Sequence, residues 1–472
     1  MSALPSLVDY KEPMVVLPED STNYQVVCVP VGAGTFGPSS QIVVDLQNVG
    51  FLDPASLMFR YKITYKTATN TDAVSICGTP AYTPLLRHDV IVNSVNVESI
   101  NNYNSLCNML TNVKLSVSDK YGQQQALGFE NQKYLDPGIS PAVATSPASM
   151  EVLDGALLNL NTVATATTYV RTYSAPLYNL LSGSDKLIPL FLTNAIRLQF
   201  TLDTVANIQG KGAGATTGAS ALATDGTGFT ISNFEVVYNA VSFGSAVERE
   251  IIAMNPKLRI KTQSYATGNQ TVASGSSGTQ SLVYNLRYAS MKSAFLLCGG
   301  TSASLSANGL MDSFDITSNN GDYCLQIGSQ QYPQRPLSTT NNKSGILQEL
   351  RRAMDTIFGN NNSMSISGAE FAFISAGTCL PYATTAVTGY NGATSTQVAI
   401  PAKFYVGFNL SKITARMPMK MFFNGVSTSS QPITATINIG TATSQAHNVM
   451  LVANYDAIFE IDTSTKQVVL IS

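Results

Sequence analysis

The chain has 472 residues, enough for two or three domains, and only 12% of them are charged, with a formal net charge of −2. That balance excludes a strong field for holding polyanions, and so weakly charged a chain is expected to hide much of its surface in an assembly. With 34 Gly, 20 Pro and 21 Tyr, and hardly any long Ala/Leu/Glu/Lys periodic segment, the composition points to an all-β protein with many turns.

Residues 1–20 hold three prolines and no periodicity, and are expected to form an extended arm. Its Lys11 stands against Asp9, Glu12, Glu19 and Asp20, so it is not a basic tail for packaged nucleic acid. Strands are predicted at Tyr24–Pro30 and Gln41–Leu46. Between them, Gly32-Ala-Gly-Thr-Phe-Gly37 matches G-x-G-x-x-G in form. A pyrophosphate-binding turn must open a helix, but a strand follows at once, so the glycines are read as a β-hairpin loop. Phe51-Leu-Asp-Pro54 is a turn into a strand in which Leu57, Phe59, Tyr61, Ile63 and Tyr65 share one face. Leu86–Val97 predicts two short strands. Glu98–Lys114 shifts to helical spacing, with Ile100, Tyr103, Leu106, Cys107, Leu110 and Val113 as a core-packing stripe. Residues 115–170 read as a long polar excursion without a clear element, a length usually functional or interfacial. Strands return at Tyr169–Tyr173, Asp185–Leu192 and Ile196–Leu202, and 210–228 is a Gly/Ala/Thr-rich exposed loop.

Phe229–Gly244 is rich in β-branched and aromatic residues and predicts one or two strands closing a sheet. The period then changes. Val247, Ile251, Ile252 and Met254 fall near helical spacing, Ser245 can cap, and Asn255-Pro256 stops the helix. Beyond it, strands are predicted at Lys257–Thr262, Ser281–Tyr288, Ser293–Cys298 and Cys324–Ile327, with a Gly/Ser loop over Gly268–Gln280. The Cys324 strand ends in Gly328-Ser-Gln-Gln-Tyr-Pro-Gln-Arg-Pro336. A helix follows, capped by Ser344, with Ile346, Leu347, Leu350, Met354, Ile357 and Phe358 on its apolar face and Gly359 at its C-terminal stop. After a polar stretch over 360–398, strands are predicted at Lys403–Leu410, Lys420–Phe423, Ile433–Ile439, Val449–Ile461 and Val468–Ile471. The two flanks of 229–256 share a plan: opening strands, one amphipathic helix, a variable stretch, then two closing strands. That order predicts tandem β-sandwiches.

The residues offer little to catalysis. Only His88 and His447 are present, and Cys28, Cys77, Cys107, Cys298, Cys324 and Cys379 are scattered without the paired spacing of a zinc site. No nucleophile elbow, His-Glu-x-x-His or phosphate-binding loop occurs, so no residue is assigned a catalytic, cofactor-binding or metal-ligating role. No apolar run reaches the roughly 18 residues of a membrane span, and Met1-Ser-Ala-Leu-Pro-Ser lacks a signal-peptide core. A soluble protein made in a reducing compartment is expected, with free cysteines.

The order of these pieces resembles the double jelly-roll major capsid proteins of tailless double-stranded DNA viruses, the lineage of adenovirus hexon and of virophage and polinton-like virus capsid proteins. The likeness rests on Phe51-Leu-Asp-Pro54 before a strand, and on Glu98-Ser-Ile-Asn-Asn-Tyr103 leading to Leu110. It also rests on Leu187-Ile-Pro-Leu190 with Ile196-Arg-Leu198 and Ile231–Tyr238, and on Gln331-Tyr-Pro-Gln-Arg-Pro336 before a helix. It covers nearly the whole chain as an order of elements rather than as residue identities.

The resemblance implies an all-β fold of two tandem eight-stranded jelly-roll barrels, with one short amphipathic helix in each and a connector helix. The division would be an arm at 1–20, a first jelly roll at 21–244, a connector at 245–256 and a second jelly roll at 257–472. It implies a structural protein of the virion rather than an enzyme: a homotrimer of pseudo-hexameric outline, tiling an icosahedral shell. Partners would be further copies of itself and minor capsid or penton proteins, over an internal membrane or core, with no sequence-specific nucleic acid. Long segments at 115–170, 203–228, 300–322 and 360–400 would be towers or inter-subunit contacts. Two other readings fit the residues: a minor capsid or spike protein, and a secreted carbohydrate-binding adhesin, for which Asn269, Asn342, Asn361 and Asn409 stand in glycosylation sequons. Arg335, Arg351 and Arg352 are read as either a solvated face or a contact with a neighbouring subunit.

Overall fold

The alternating run from Leu57 becomes a strand, Met58–Lys66, in which Phe59, Tyr61, Ile63 and Tyr65 are buried while Met58, Arg60 and Lys62 face outward. Successive side chains of a strand point to opposite faces, so one residue pattern specifies both the element and its buried side. The computed structural model describes residues 21–32, 34–66, 74–128, 155–158, 168–193, 195–208, 228–301, 311, 313–340, 343–354, 364–366, 371, 387–388, 394–395, 403–412, 423–443 and 446–472.

The strands before the connector are β1 (Thr22–Cys28), β2 (Thr35–Phe36), β3 (Gln41–Asp45), β4 (Phe51–Leu52), β5 (Met58–Lys66), β6 (Val74–Cys77), β7 (Leu85–Val92), β8 (Val95–Asn101), β9 (Gly155–Leu158), β10 (Thr168–Pro176), β11 (Ile188–Pro189), β12 (Ile196–Leu202) and β13 (Phe229–Ser242). Those after it are β14 (Lys257–Val272), β15 (Gly278–Tyr284), β16 (Met291–Gly300), β17 (Gly321–Ile327), β18 (Gln330–Ser338), β19 (Val387–Thr388), β20 (Thr394–Ser395), β21 (Tyr405–Asn409), β22 (Ile433–Ile439), β23 (His447–Asp462) and β24 (Val468–Ile471). Six helices accompany them among the described residues: α1 (Tyr103–Lys114), α2 (Val117–Gly122), α3 (Gln124–Leu127), α4 (Val205–Ile208), α5 (Ser245–Met254) and α6 (Ser344–Ala353).

The strand order repeats. Before the connector, β1-β13-β5-β10 form one antiparallel sheet and β3-β12-β7-β8 the other, with β2, β4 and β11 as short additions to the first. After it, β14-β23-β16-β21 faces β15-β22-β17-β18, with β24 added along β23. In each half, eight principal strands taken in chain order pair as first–eighth–third–sixth and second–seventh–fourth–fifth. The helix also repeats: α1 and α6 each follow the fifth principal strand of their half. None of the four large sheets draws strands from both sides of Gly244.

Each half closes over a core. In the first, Phe200 of β12 meets Phe234 of β13 at 5.3 Å and Phe59 of β5 at 6.4 Å, so the two sheets touch through aromatic rings. In the second, the Tyr284 hydroxyl of β15 donates to the Val449 carbonyl of β23 at 3.0 Å, joining the facing sheets. Cys28, Cys77, Cys107, Cys298 and Cys324 are buried and form no disulfide.

Several expectations are corrected. The Gly32–Gly37 segment is not a hairpin loop, because β1 pairs with β13 and β3 with β12, in opposite sheets. The segment crosses between the layers, and β2 pairs with β13 on the way. Glu98–Asn101 is strand rather than helix. Ile100 and Tyr103 are spaced as on a helix, but pairing of β8 with β7 takes the first four residues, and α1 starts after Asn102 at φ 50°. Of Asp185–Leu192 only Ile188–Pro189 pairs, and Leu190–Leu192 is a 3-10 turn. The 115–170 segment, read as featureless, contains α2, α3, β9 and the start of β10. Gly268–Gln280 is mostly strand: β14 runs to Val272 and β15 begins at Gly278. Gly328–Pro336 does not end the sheet; it turns into β18, where prolines are tolerated because β18 is an edge strand.

Ser245 and Ser344 do not cap. Gly244 and Lys343 hold the cap positions, without a side-chain capping bond to the helix. α6 ends at Ala353, so Ile357, Phe358 and Gly359 fall outside the described residues, as do the arm at 1–20, the loop at 210–227 and nearly all of 360–398. Lys420–Phe422 also lie outside them, and Phe423 is a bend at φ 56°.

Candidate assembly site: the seam between the two halves

The two halves meet along a polar seam built from three pieces of the first: α1, the edge of β8, and the turn after β10. α1 is buried nearly all round, Tyr103 through Val113 except Ser105. A helix apolar on one stripe buries its other faces only if a second body covers them. Its apolar residues face the first core, and its asparagines, four residues apart, carry the contact outward. Asn104 donates to Asp203 at 2.8 Å within the first half. Asn108 donates to the Met311 carbonyl at 3.3 Å, and Asn112 to the Tyr405 hydroxyl at 3.3 Å, both in the second half. The Asn112 carbonyl also accepts the Ser365 N–H at 3.1 Å, while Lys120 of α2 donates to its side chain at 2.8 Å. Buried amides need such partners, because an unmet buried donor or acceptor costs about 1–3 kcal/mol.

The turn after β10 is shaped by Asn179, whose Oδ1 accepts the Ser182 N–H at 2.9 Å and whose Nδ2 donates to His88 Nε2 at 3.1 Å. His88 donates from Nδ1 to the Gln199 carbonyl at 3.3 Å and stacks on Phe200 at 4.5 Å. Burial holds it neutral, down to about 4. The turn then covers the open edge of β14. The Asp185 N–H donates to the Lys261 carbonyl at 3.0 Å, the Gln263 N–H donates to the Gly183 carbonyl at 3.2 Å, and the Thr262 hydroxyl donates to the Leu180 carbonyl at 2.5 Å. An uncovered edge strand would recruit other strands. Nearby, Lys114 lies 5.4 Å from the Tyr178 ring centre and 5.3 Å from that of Tyr265, one ring from each half. Glu98 of β8 accepts the Leu180 N–H at 2.8 Å and the Ser264 hydroxyl of β14. One end of the seam opens into a cleft of about 340 Å³, bordered by Asn102 and Asn207 on one side and Thr271, Met311 and Asn448 on the other.

Elsewhere, β1 and β24 lie at sheet margins with Val27, Val469 and Ile471 exposed, and Ile252 and Met254 are exposed on α5. Arg335 is exposed on β18, and Arg352 pairs with Glu349 at 2.6 Å along α6. His447 is buried far along the chain from His88, against Phe314 at 5.4 Å. Asn269 and Asn409 lie within β14 and β21, and Asn342 and Asn361 fall outside the described residues. Among the described residues no group of three or more His, Cys, Asp or Glu is placed to hold a metal ion. No seam residue was assigned a contact between the two halves from sequence, although the Asn104, Asn108, Asn112 spacing was a visible signal: a row of amides on a buried helix.

No protein-family model and no curated protein matches the sequence. Solved structures do match, over nearly the whole of both chains. VP54 of PBCV-1, fitted into a reconstruction of the virophage Sputnik, superposes with a TM-score of 0.58 over 98% of this chain and 99% of that one, at 10% identity. The Faustovirus major capsid protein follows at TM-score 0.55, 97% and 92% coverage and 10% identity. The mavirus major capsid protein gives 0.54, 99% and 93%, and 9%.

The fold is the double jelly roll.

The seam described above is therefore the contact between the two barrels of a double jelly roll, and the repeated strand order is the two barrels themselves. At about 10% identity, what the comparison establishes as common to these chains is the fold.

Proposed function

We propose that this chain is a viral major capsid protein, a structural component of the virion rather than an enzyme. Residues 21–244 and 257–472 would be its two barrels, 245–256 the connector and 1–20 an arm. Three copies would associate side by side into a homotrimer whose six barrels give a hexagonal outline, and such trimers would tile an icosahedral shell with other proteins at its vertices. One observation carries the reading: the likeness to major capsid proteins spans both barrels and nearly both full lengths, with neither chain holding a large unmatched domain. A spike with a projecting domain would leave such a remainder. The low charge fits as well, since 12% charged residues suit a surface largely covered by neighbours.

The test is the assembly state of the purified chain. Negative-stain images and light scattering are expected to show trimers with a hexagonal outline, or closed shells. A monomer that persists at high concentration would overturn the reading.

A further inference from the structure

Glu98 stands where three segments converge: its own strand β8, the turn at 179–185 and β14 of the other barrel. Its side chain is buried, and the two donors that reach it come from different barrels, Leu180 N–H at 2.8 Å from the first and the Ser264 hydroxyl from the second. Among the described residues, the groups around it supply no countercharge. Tyr455 of β23 also meets the Ser264 hydroxyl, and Tyr288 stacks on Tyr455 at 3.8 Å; both phenols are held un-ionised by burial. Asp89 of β7 adds a negative neighbour and is itself paired with Arg87 at 2.9 Å. His88 is turned to Gln199 and Asn179, and Lys114 to the Tyr178 and Tyr265 rings. A carboxylate buried without a cation is a poor occupant of a contact surface, whereas the protonated acid is neutral and keeps a proton to donate.

We propose that Glu98 is a proton-operated latch between the two barrels: protonated, its carboxyl group joins β8 and the 179–185 turn to β14, and ionised, it puts an uncompensated charge into the seam and loosens it. The latch works near neutrality, because burial pushes this carboxyl from 4.5 up to about 7 against the smaller opposing pull of Ser264 and Leu180. The folded chain holds the proton more tightly than the unfolded one. The stabilising contribution is therefore fully present below 4.5 and lost as pH rises through 7. His88 and His447 act in the opposite sense: burial lowers both from 6.5 to about 4, so their contribution is present above 6.5 and lost on acidification. The Glu98 effect must accordingly be read as a difference between two proteins.

Glu98→Gln imitates the protonated acid. Relative to the parent, its melting temperature is expected to climb as pH rises from 4.5 to 7.5 and to level off above, a relative gain on the order of a hundredfold in the folding equilibrium. A difference that stays constant with pH would overturn the latch. Two further measurements do not need that variant to fold. In the parent, hydrogen exchange corrected for its intrinsic pH dependence should rise between pH 6 and 8 at 177–185 and 257–268 but not in α6; equal behaviour at both places refutes the proposal. Ser264→Ala removes a donor to the carboxylate, so the pH midpoint of that exchange change should move upward, and an unmoved midpoint counts against it.

Discussion

Gly183 illustrates how one residue serves the contact between barrels. A Cβ built on it would lie 1.9 Å from the carbonyl oxygen of Gln263, so the turn approaches β14 more closely than any side chain allows. The same residue accepts the Gln263 N–H. Gly183→Ala is expected to force the turn off the strand and destabilise the chain by about 1–3 kcal/mol; urea unfolding would measure it, and an unchanged midpoint would contradict the account. In sequence, Leu-Ser-Gly-Ser looked like any loop, because nothing local marks which glycine faces another segment's backbone. Buried Asp315 was equally silent: it collects the Tyr323 hydroxyl at 3.0 Å, the Thr317 hydroxyl at 2.6 Å and Lys343 at 3.0 Å, residues scattered over 29 positions of chain.

At the scale of elements, α1 and α6 occupy equivalent places in the two barrels but are buried differently. α6 buries only Ile346, Leu350 and Ala353, and its exposed face carries Glu349 and Arg352 or solvent-facing neighbours. It rests on β21, whose Tyr405, Val406, Gly407 and Phe408 are all buried because the helix covers one face and the core the other. Gly407 makes that possible, since a Cβ there would lie 2.7 Å from Leu350 Cα. Gly407→Val should lift the helix and lower the melting temperature by several degrees, measurable by circular dichroism, with an unaltered transition refuting the close-contact argument. The cores of both helices and most strands were legible, because burial on one face imposes a period of 3.6 or 2 on the residues. Ends were less so. Asn102, Gly244 and Lys343 begin helices without side-chain caps, and β8, β14 and β18 extend into residues that local propensity reads as helix start or loop.

For the whole molecule, the seam makes the two barrels depend on each other. Residues 257–472 expressed alone would bare the edge of β14 and the faces of Met311, Tyr265 and Tyr405 that now meet the first barrel. The separated half is expected to aggregate or self-associate, and co-expression with 1–256 should restore a soluble complex. Size-exclusion chromatography distinguishes the outcomes, and a soluble, folded, monomeric second half would show that the seam contributes little.

The sequence by itself determined that the chain is all-β and that its cores are formed by alternating residues such as Ile196, Leu198, Phe200 and Leu202. Those properties follow from local periodicity, which a strand or helix must show wherever it packs. The tertiary structure alone decided which strands pair, why Gly32–Gly37 is a crossing rather than a hairpin, and that Glu98, Asn112 and Gly183 meet partners 166, 293 and 80 positions away. Contacts at such separations leave no periodic trace in a single chain, because each depends on the identity of a residue that only folding brings near.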